Sequence, residues 1–180
     1  MALDSFKRTA ELNSKIEGLN SQLRELTTSR TKAIVADFVK NASQFLEQND
    51  FRVQRQNDHL LATYESSKLE FELPKGNTAP IGAYAIIPLS VNSRTHWQIM
   101  LVPAGASSAT VQKTAQQATE LERLEKQAAD LEKTIQNYNT LPVYGLQYRR
   151  QSNQPSSQST RPISVDSVEA LFNAILESQG

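Results

Sequence analysis

The side chains that could do chemistry are few. The chain has two histidines, His59 and His96. Each sits in a stretch that alternates like a strand, with no HExxH spacing and no acid-rich cluster around it, so neither suggests a metal site or a general base. Asp58, beside His59, belongs to an Asn-Asp pair of the kind that makes turns. The six glycines form neither GxGxxG nor a P-loop, and no GxSxG elbow occurs. With no cysteine, thiolate chemistry, disulfides and cysteine-based zinc sites are excluded. The sequence therefore suggests no catalytic residue, no metal and no cofactor, and reads as a non-enzyme. One cluster fits binding chemistry. Tyr144, Tyr148, Arg149 and Arg150 set aromatic rings beside guanidinium groups, a pairing that stacks bases and holds phosphates.

What positions these residues is clearer. Leu121, Leu124, Ala128, Leu131, Ile135 and Tyr138 recur at three, four, three, four, three. That is a coiled-coil seam. The spacing predicts a helix over 108–139, capped by Ser107 or Ser108. Leu12, Ile16, Leu19, Leu23 and Leu26 form a second seam on a helix from Asp4 to Arg30. Glu11 with Lys15, and Glu122 with Lys126, are i,i+4 pairs on these helices. Gly18 costs its helix about 1 kcal/mol relative to alanine, so a packing partner is required.

Past Leu26 the stripe fails and a new face begins at Ile34, Val35, Phe38, Val39, Ala42, Phe45 and Leu46. Thr27, Thr28 and Ser29 mark either a kink or a rotation of the buried face. Five strand signals follow, around Phe51–Val53, His59–Tyr64, Lys68–Leu73, Ile81–Leu89 and Thr95–Val102. The fourth is nearly all apolar and reads as covered on both faces. Trp97, Phe71 and Ile86 are expected to share a core with Phe38 and Phe45.

The expected fold is α+β. An antiparallel two-helix coiled-coil stalk, about 40 Å long, carries a five-stranded antiparallel β-meander head covered by one helix. Leu26 would lie nearest the sheet and Tyr138 farthest. Residues 1–150 make stalk and head, 151–163 a flexible polar linker, and 164–180 an amphipathic helix. Asp166 and Glu169 have capping-box spacing at its start. Leu141–Arg150 alternates like a strand but would leave the far end of the stalk, which suggests pairing with another chain.

Lysine plus arginine equals aspartate plus glutamate, 19 each, and mean hydropathy is −0.49. No whole-molecule field attracts nucleic acid or lipid. Residues 1–8 lack the apolar core of a signal peptide, and no apolar run is long enough to span a bilayer. The chain reads as soluble and cytoplasmic, with no membrane role. Its expected function is a protein-interaction module, an adaptor, scaffold or assembly factor. It would form a homo-oligomer or hetero-complex through its coiled coil. Its C-terminal helix, through Val168, Leu171, Phe172 and Ile175, would dock a protein partner. The second reading is a nucleic-acid accessory protein using residues 144–150.

Overall fold

A computed structural model describes residues 2–75, 82–104, 119–138, 144–151 and 161–178. Among these described residues the fold is α+β, with three helices and a seven-stranded antiparallel sheet. Helix α1 (Ala2–Gln48) is followed by β1 (Arg52–Gln56), β2 (His59–Tyr64), β3 (Ser67–Glu72), β4 (Ala85–Val91) and β5 (Thr95–Pro103). Then come α2 (Glu120–Asn137), β6 (Tyr144–Arg150), β7 (Ile163–Val165) and α3 (Val168–Glu177). The strands lie in sequence order, β1 to β7, so the expected five-strand meander is extended by two. The chain divides into a helical unit, residues 1–30 with 107–141, and a sheet unit, residues 31–106 with 142–180.

In the sheet unit each tight connection carries a residue at positive φ, Glu65 between β2 and β3 among them. Asn57 turns β1 into β2, and Asn92 and Ser93, both left-handed, turn β4 into β5. Asp50, also left-handed, follows the end of α1, where Phe51 N–H donates to the Leu46 carbonyl. Alternation then sends one side of each strand into the core. Leu60, Phe71, Ile87, Leu89, Ile99, Leu101 and Leu146 are all buried there. The second half of α1 covers them with Ile34, Phe38, Val39, Ala42 and Leu46. Helix α3 adds Leu171, Phe172 and Ile175, each 0% exposed.

Several expectations are corrected here. Strand β4 is buried on alternate residues, so it is covered on one face. Ile87 points into the core; Ile86 is on the opposite side and outside the cluster, while Trp97, Phe38 and Phe45 are in it as expected. Strand β6 is not an orphan. It pairs with β5 of its own chain along its whole length, from Pro103↔Tyr144 to Trp97↔Arg150. Ile163–Val165, expected as linker and helix start, is strand β7 on the outer side of β6. Gln151, the first residue of that linker, donates its N–H to the His96 carbonyl; 152–160 lie outside the described residues. The cap of α3 is Ser167, whose hydroxyl accepts from Ala170 N–H, in place of the Asp166–Glu169 box.

In the helical unit, α1 runs through Thr27–Ser29 without interruption. Thr28 directs its hydroxyl to the Arg24 carbonyl, which satisfies it inside the helix. Helix α2 starts later than expected. Thr119 is its N-cap: its hydroxyl accepts from Glu122 N–H and its own N–H donates to the Glu122 carboxylate at 2.9 Å. The proposed caps Ser107 and Ser108 lie outside the described residues. The direction of α2 is also corrected. Arg8 meets Glu125 at 3.3 Å, Lys15 meets Glu132 at 2.8 Å, and Thr27 donates to Tyr138 at 3.2 Å. Partners rise together along both helices, so the pair is parallel.

Candidate interaction surfaces

The seam residues are brought together in part. Leu12 and Ile16 of α1 are buried in one cluster with Leu124 and Ala128 of α2, and Leu19, Leu121 and Leu131 pack against its rim. Leu23, Leu26 and Ile135 are half-buried in the same unit and outside that cluster. Ion pairs flank the seam. Lys15, spaced to pair with Glu11, crosses to Glu132 instead. Glu122, spaced to pair with Lys126, is held by the Thr119 cap. The Thr119 backbone N–H lowers the Glu122 carboxyl below the usual range, because a hydrogen bond to the charged form favours it. At the other end of α2 the Arg30 guanidinium lies 4.4 Å from the centre of the Tyr138 ring.

The tyrosine–arginine cluster is not brought together. Alternation along β6 puts Leu146 and Tyr148 on the core face, and Arg149 on the other. Tyr148 is 8% exposed and packs on Trp97 at 5.8 Å. Tyr144 is half-buried and donates its hydroxyl to Asp37 at 2.9 Å. Arg149 donates to Gln98 Oε1 at 2.8 Å on the opposite side of the sheet. Arg150, two residues past Tyr148 and opposite Trp97, shares the side of Tyr144 and Tyr148, so alternation separates only Arg149 from the rings, while burial of Tyr148 withdraws one ring from the surface.

Tyr144 gives a test of this placement. Burial first, and the Asp37 carboxylate second, push its phenol up to about 12. The folded value lies above the ordinary 10.0 of a tyrosine. The contribution to stability is therefore full below the unfolded value and is lost as pH rises through the folded one. Absorbance titration should show a phenol ionising at about 12, and Tyr144→Phe should remove that step. Loss of amplitude at about 10 in the variant, with the step at about 12 still present, would put Tyr144 in solvent.

His59 lies among charges that account for one another. Its Nε2 is 3.7 Å from Asp58 and its Nδ1 3.8 Å from Glu70. Asp58 in turn pairs with Lys75 at 2.5 Å and Glu70 with Lys68 at 3.1 Å. The Lys75 hydrogen bond holds the Asp58 carboxyl below its usual range and raises Lys75 in return. Lys75 is exposed and Asp58 partly so, and the network lies at the rim of the sheet where solvent screens it. Among the described residues no cluster of three or more ligand-type side chains could hold a metal, and no helix is long and apolar enough to cross a membrane.

The docking face expected on the terminal helix is occupied by its own chain. Leu171, Phe172 and Ile175 are fully buried, and Val168 is packed against the same core. Phe172 stacks on Phe45 at 5.6 Å and meets the edge of Phe71 at 5.8 Å. Of the helix's large apolar side chains, only Leu176 reaches 36% exposure.

Sequence reasoning missed two readable signals. Thr119-Glu-Leu-Glu122 is a capping box, visible as Thr-x-x-Glu before the leucine stripe. The β6 partner was also readable, since the Trp97–Leu101 alternation matches that of Tyr144–Tyr148.

Fold and site together define an α+β protein with a long N-terminal helix and a seven-stranded antiparallel sheet. No protein-family model, no curated protein and no solved structure matches the chain.

Proposed function

We propose that the chain is a non-enzymatic protein-interaction module, an adaptor, scaffold or assembly factor, that self-associates through the seams of α1 and α2 as a coiled coil. The observation that carries this reading is the incomplete burial of those seams. Only Leu12, Ile16, Leu124 and Ala128 are buried, while Leu19, Leu23, Leu26, Leu121, Leu131 and Ile135 stay half-exposed in the single chain. A second helix pair laid on the first would cover them, as in a four-helix bundle. Arg8–Glu125 and Lys15–Glu132 stand where flanking charges set partner and register. A cytoplasmic setting accords with the cysteine-free sequence. Recruitment of other proteins falls to surfaces other than the apolar face of α3.

Light scattering at micromolar concentration tests it. The expected mass is a multiple of 20.1 kDa. Leu19→Glu combined with Ile135→Glu should return the chain to one copy with its sheet intact. A single-copy mass for the unaltered protein ends the self-association reading and leaves a hetero-complex.

A further inference from the structure

We propose that the end of the sheet formed by the β4–β5 turn, the last residues of β6 and the start of β7 docks an acidic, partly apolar segment of a partner protein. The net charge of zero hides a segregation. Residues 82–104, 144–151 and 161–165, which contain β4 to β7, include no aspartate or glutamate. Their charged residues are Arg94, Arg149, Arg150 and Arg161, joined by His96.

The register gathers these at one end. Arg94 closes the turn after β4, with its N–H on the Val91 carbonyl. His96 is hydrogen-bonded through its carbonyl to Gln151, just past β6. Arg150 is the register partner of Trp97, and Arg149 that of Gln98. Arg161 lies two residues before Ile163, which pairs with Tyr148. These positions stand on neighbouring strands, whose backbones lie about 4.8 Å apart; at this end Arg150 and Arg161 fall on the Trp97 side of the sheet, and Arg149 and His96 on the other. Arg94, Arg150 and Arg161 are exposed. Among the described residues no carboxylate pairs with Arg94 or Arg161.

The adjoining face favours a protein over a nucleic acid. Helices α1 and α3 place their buried side chains on the other side of the sheet. This side carries Ile86, Pro88 and Val102, half-buried, beside Gln98 and Gln147. A strip of aliphatic and amide groups that ends at Arg149, beside a sheet end where Arg94, Arg150 and Arg161 are exposed, matches a segment that offers apolar side chains and then carboxylates that wrap the end. Bases would need exposed rings. The indole of Trp97 and the phenol of Tyr148 at this end are buried in the core.

This inference shares with the proposed function only the premise of a binding protein. The oligomeric mass tests that function separately. The experiment here uses the full chain and a fluorescein-labelled decapeptide of alternating glutamate and leucine, read by anisotropy. The expected result is binding that weakens as salt screens it. It should fall about tenfold with Arg94→Glu plus Arg161→Glu, since each reversal replaces an attraction by a repulsion. Lys7→Glu plus Lys32→Glu, the same charge change on α1, should leave it unaltered. Circular dichroism of both variants checks folding. Absence of binding, or equal loss in both variants, overturns the proposal. So does tighter binding of oligothymidylate, lost in the Arg94 and Arg161 variant, which would assign the end to nucleic acid.

Discussion

Phe172→Ala should destabilise the sheet unit by about 3–5 kcal/mol, the usual cost of emptying a phenylalanine site in a close-packed core. The side chain is 0% exposed and is held between Phe45 of α1 and Phe71 of β3. Its removal leaves both rings facing a void that neither can fill without leaving its own rotamer. At roughly 2–4 °C per kcal/mol for a chain of this size, the melting temperature should drop by about 6–20 °C. Phe172→Leu, which keeps most of the volume, should recover much of the loss. A chain ending at Arg150, which loses β7 and α3 together, should melt lower still or not fold. A terminal helix on a tether would behave otherwise. Its variants would leave the melting temperature of the remainder unmoved, and that result would return α3 to the role of a docking element.

The two halves of this contrast show what the sequence carries. The existence and apolar face of α3 are legible, because Val168, Leu171, Phe172 and Ile175 recur at helical spacing. Where the face docks is not. An amphipathic stripe states that burial is needed and is silent on whether the cover is the same chain. Strands β2, β3 and β5 are legible for a similar reason: Leu60 and Ala62, Leu69 and Phe71, and Trp97 and Ile99 alternate with polar or half-exposed neighbours. In β4 the outward positions hold Ile86 and Pro88, so composition imitates a strand covered twice. Strand β7 has three residues, too few to display any period, and its place is set only by pairing with Leu146–Tyr148. The tyrosine–arginine cluster is divided because alternation turns Arg149 away from Tyr144, Tyr148 and Arg150, and burial of Tyr148 is set by its packing on Trp97, which no local spacing states.

Direction is the other thing a stripe does not encode. A heptad seam reads the same up or down its helix, so antiparallel pairing of α1 and α2 rests on one helix entering the sheet and another of similar length leaving it. A helix that starts at Ser107 or Ser108 would supply that similar length. The cap at Thr119 removes that premise, since residues 104–119 separate β5 from the first turn of α2. Helix α2 ends beside Thr27 and Arg30 of α1. Strand β6 pairs with β5 of its own chain.

Cross-linking separates the two directions without ambiguity, because a chain with no cysteine takes introduced pairs cleanly. Lys15→Cys with Glu132→Cys replaces an ion pair that spans 2.8 Å in the parallel arrangement. A short bis-maleimide should join these two in high yield within one chain. Asp4→Cys with Asn137→Cys samples the antiparallel arrangement, which would set the start of α1 beside the end of α2. In the parallel arrangement Tyr138 sits at Thr27. Asp4 is then 23 residues up the helix, about 35 Å away at 1.5 Å per residue, beyond any short linker. The expected outcome is a cross-linked band for the first pair and none for the second at dilution. Dilution matters, since a second copy could otherwise supply the partner thiol. The seam itself is checked alongside by Leu124→Ala. Leu124 is 5% exposed between Leu12 and Ile16, and its truncation should cost about 2–5 kcal/mol in the helical unit. The reverse cross-linking pattern with that cost intact would keep the seam and overturn its direction. Efficient linkage of Lys15→Cys to Glu132→Cys with a Leu124→Ala melt identical to wild type would keep the direction and remove the seam as a source of stability.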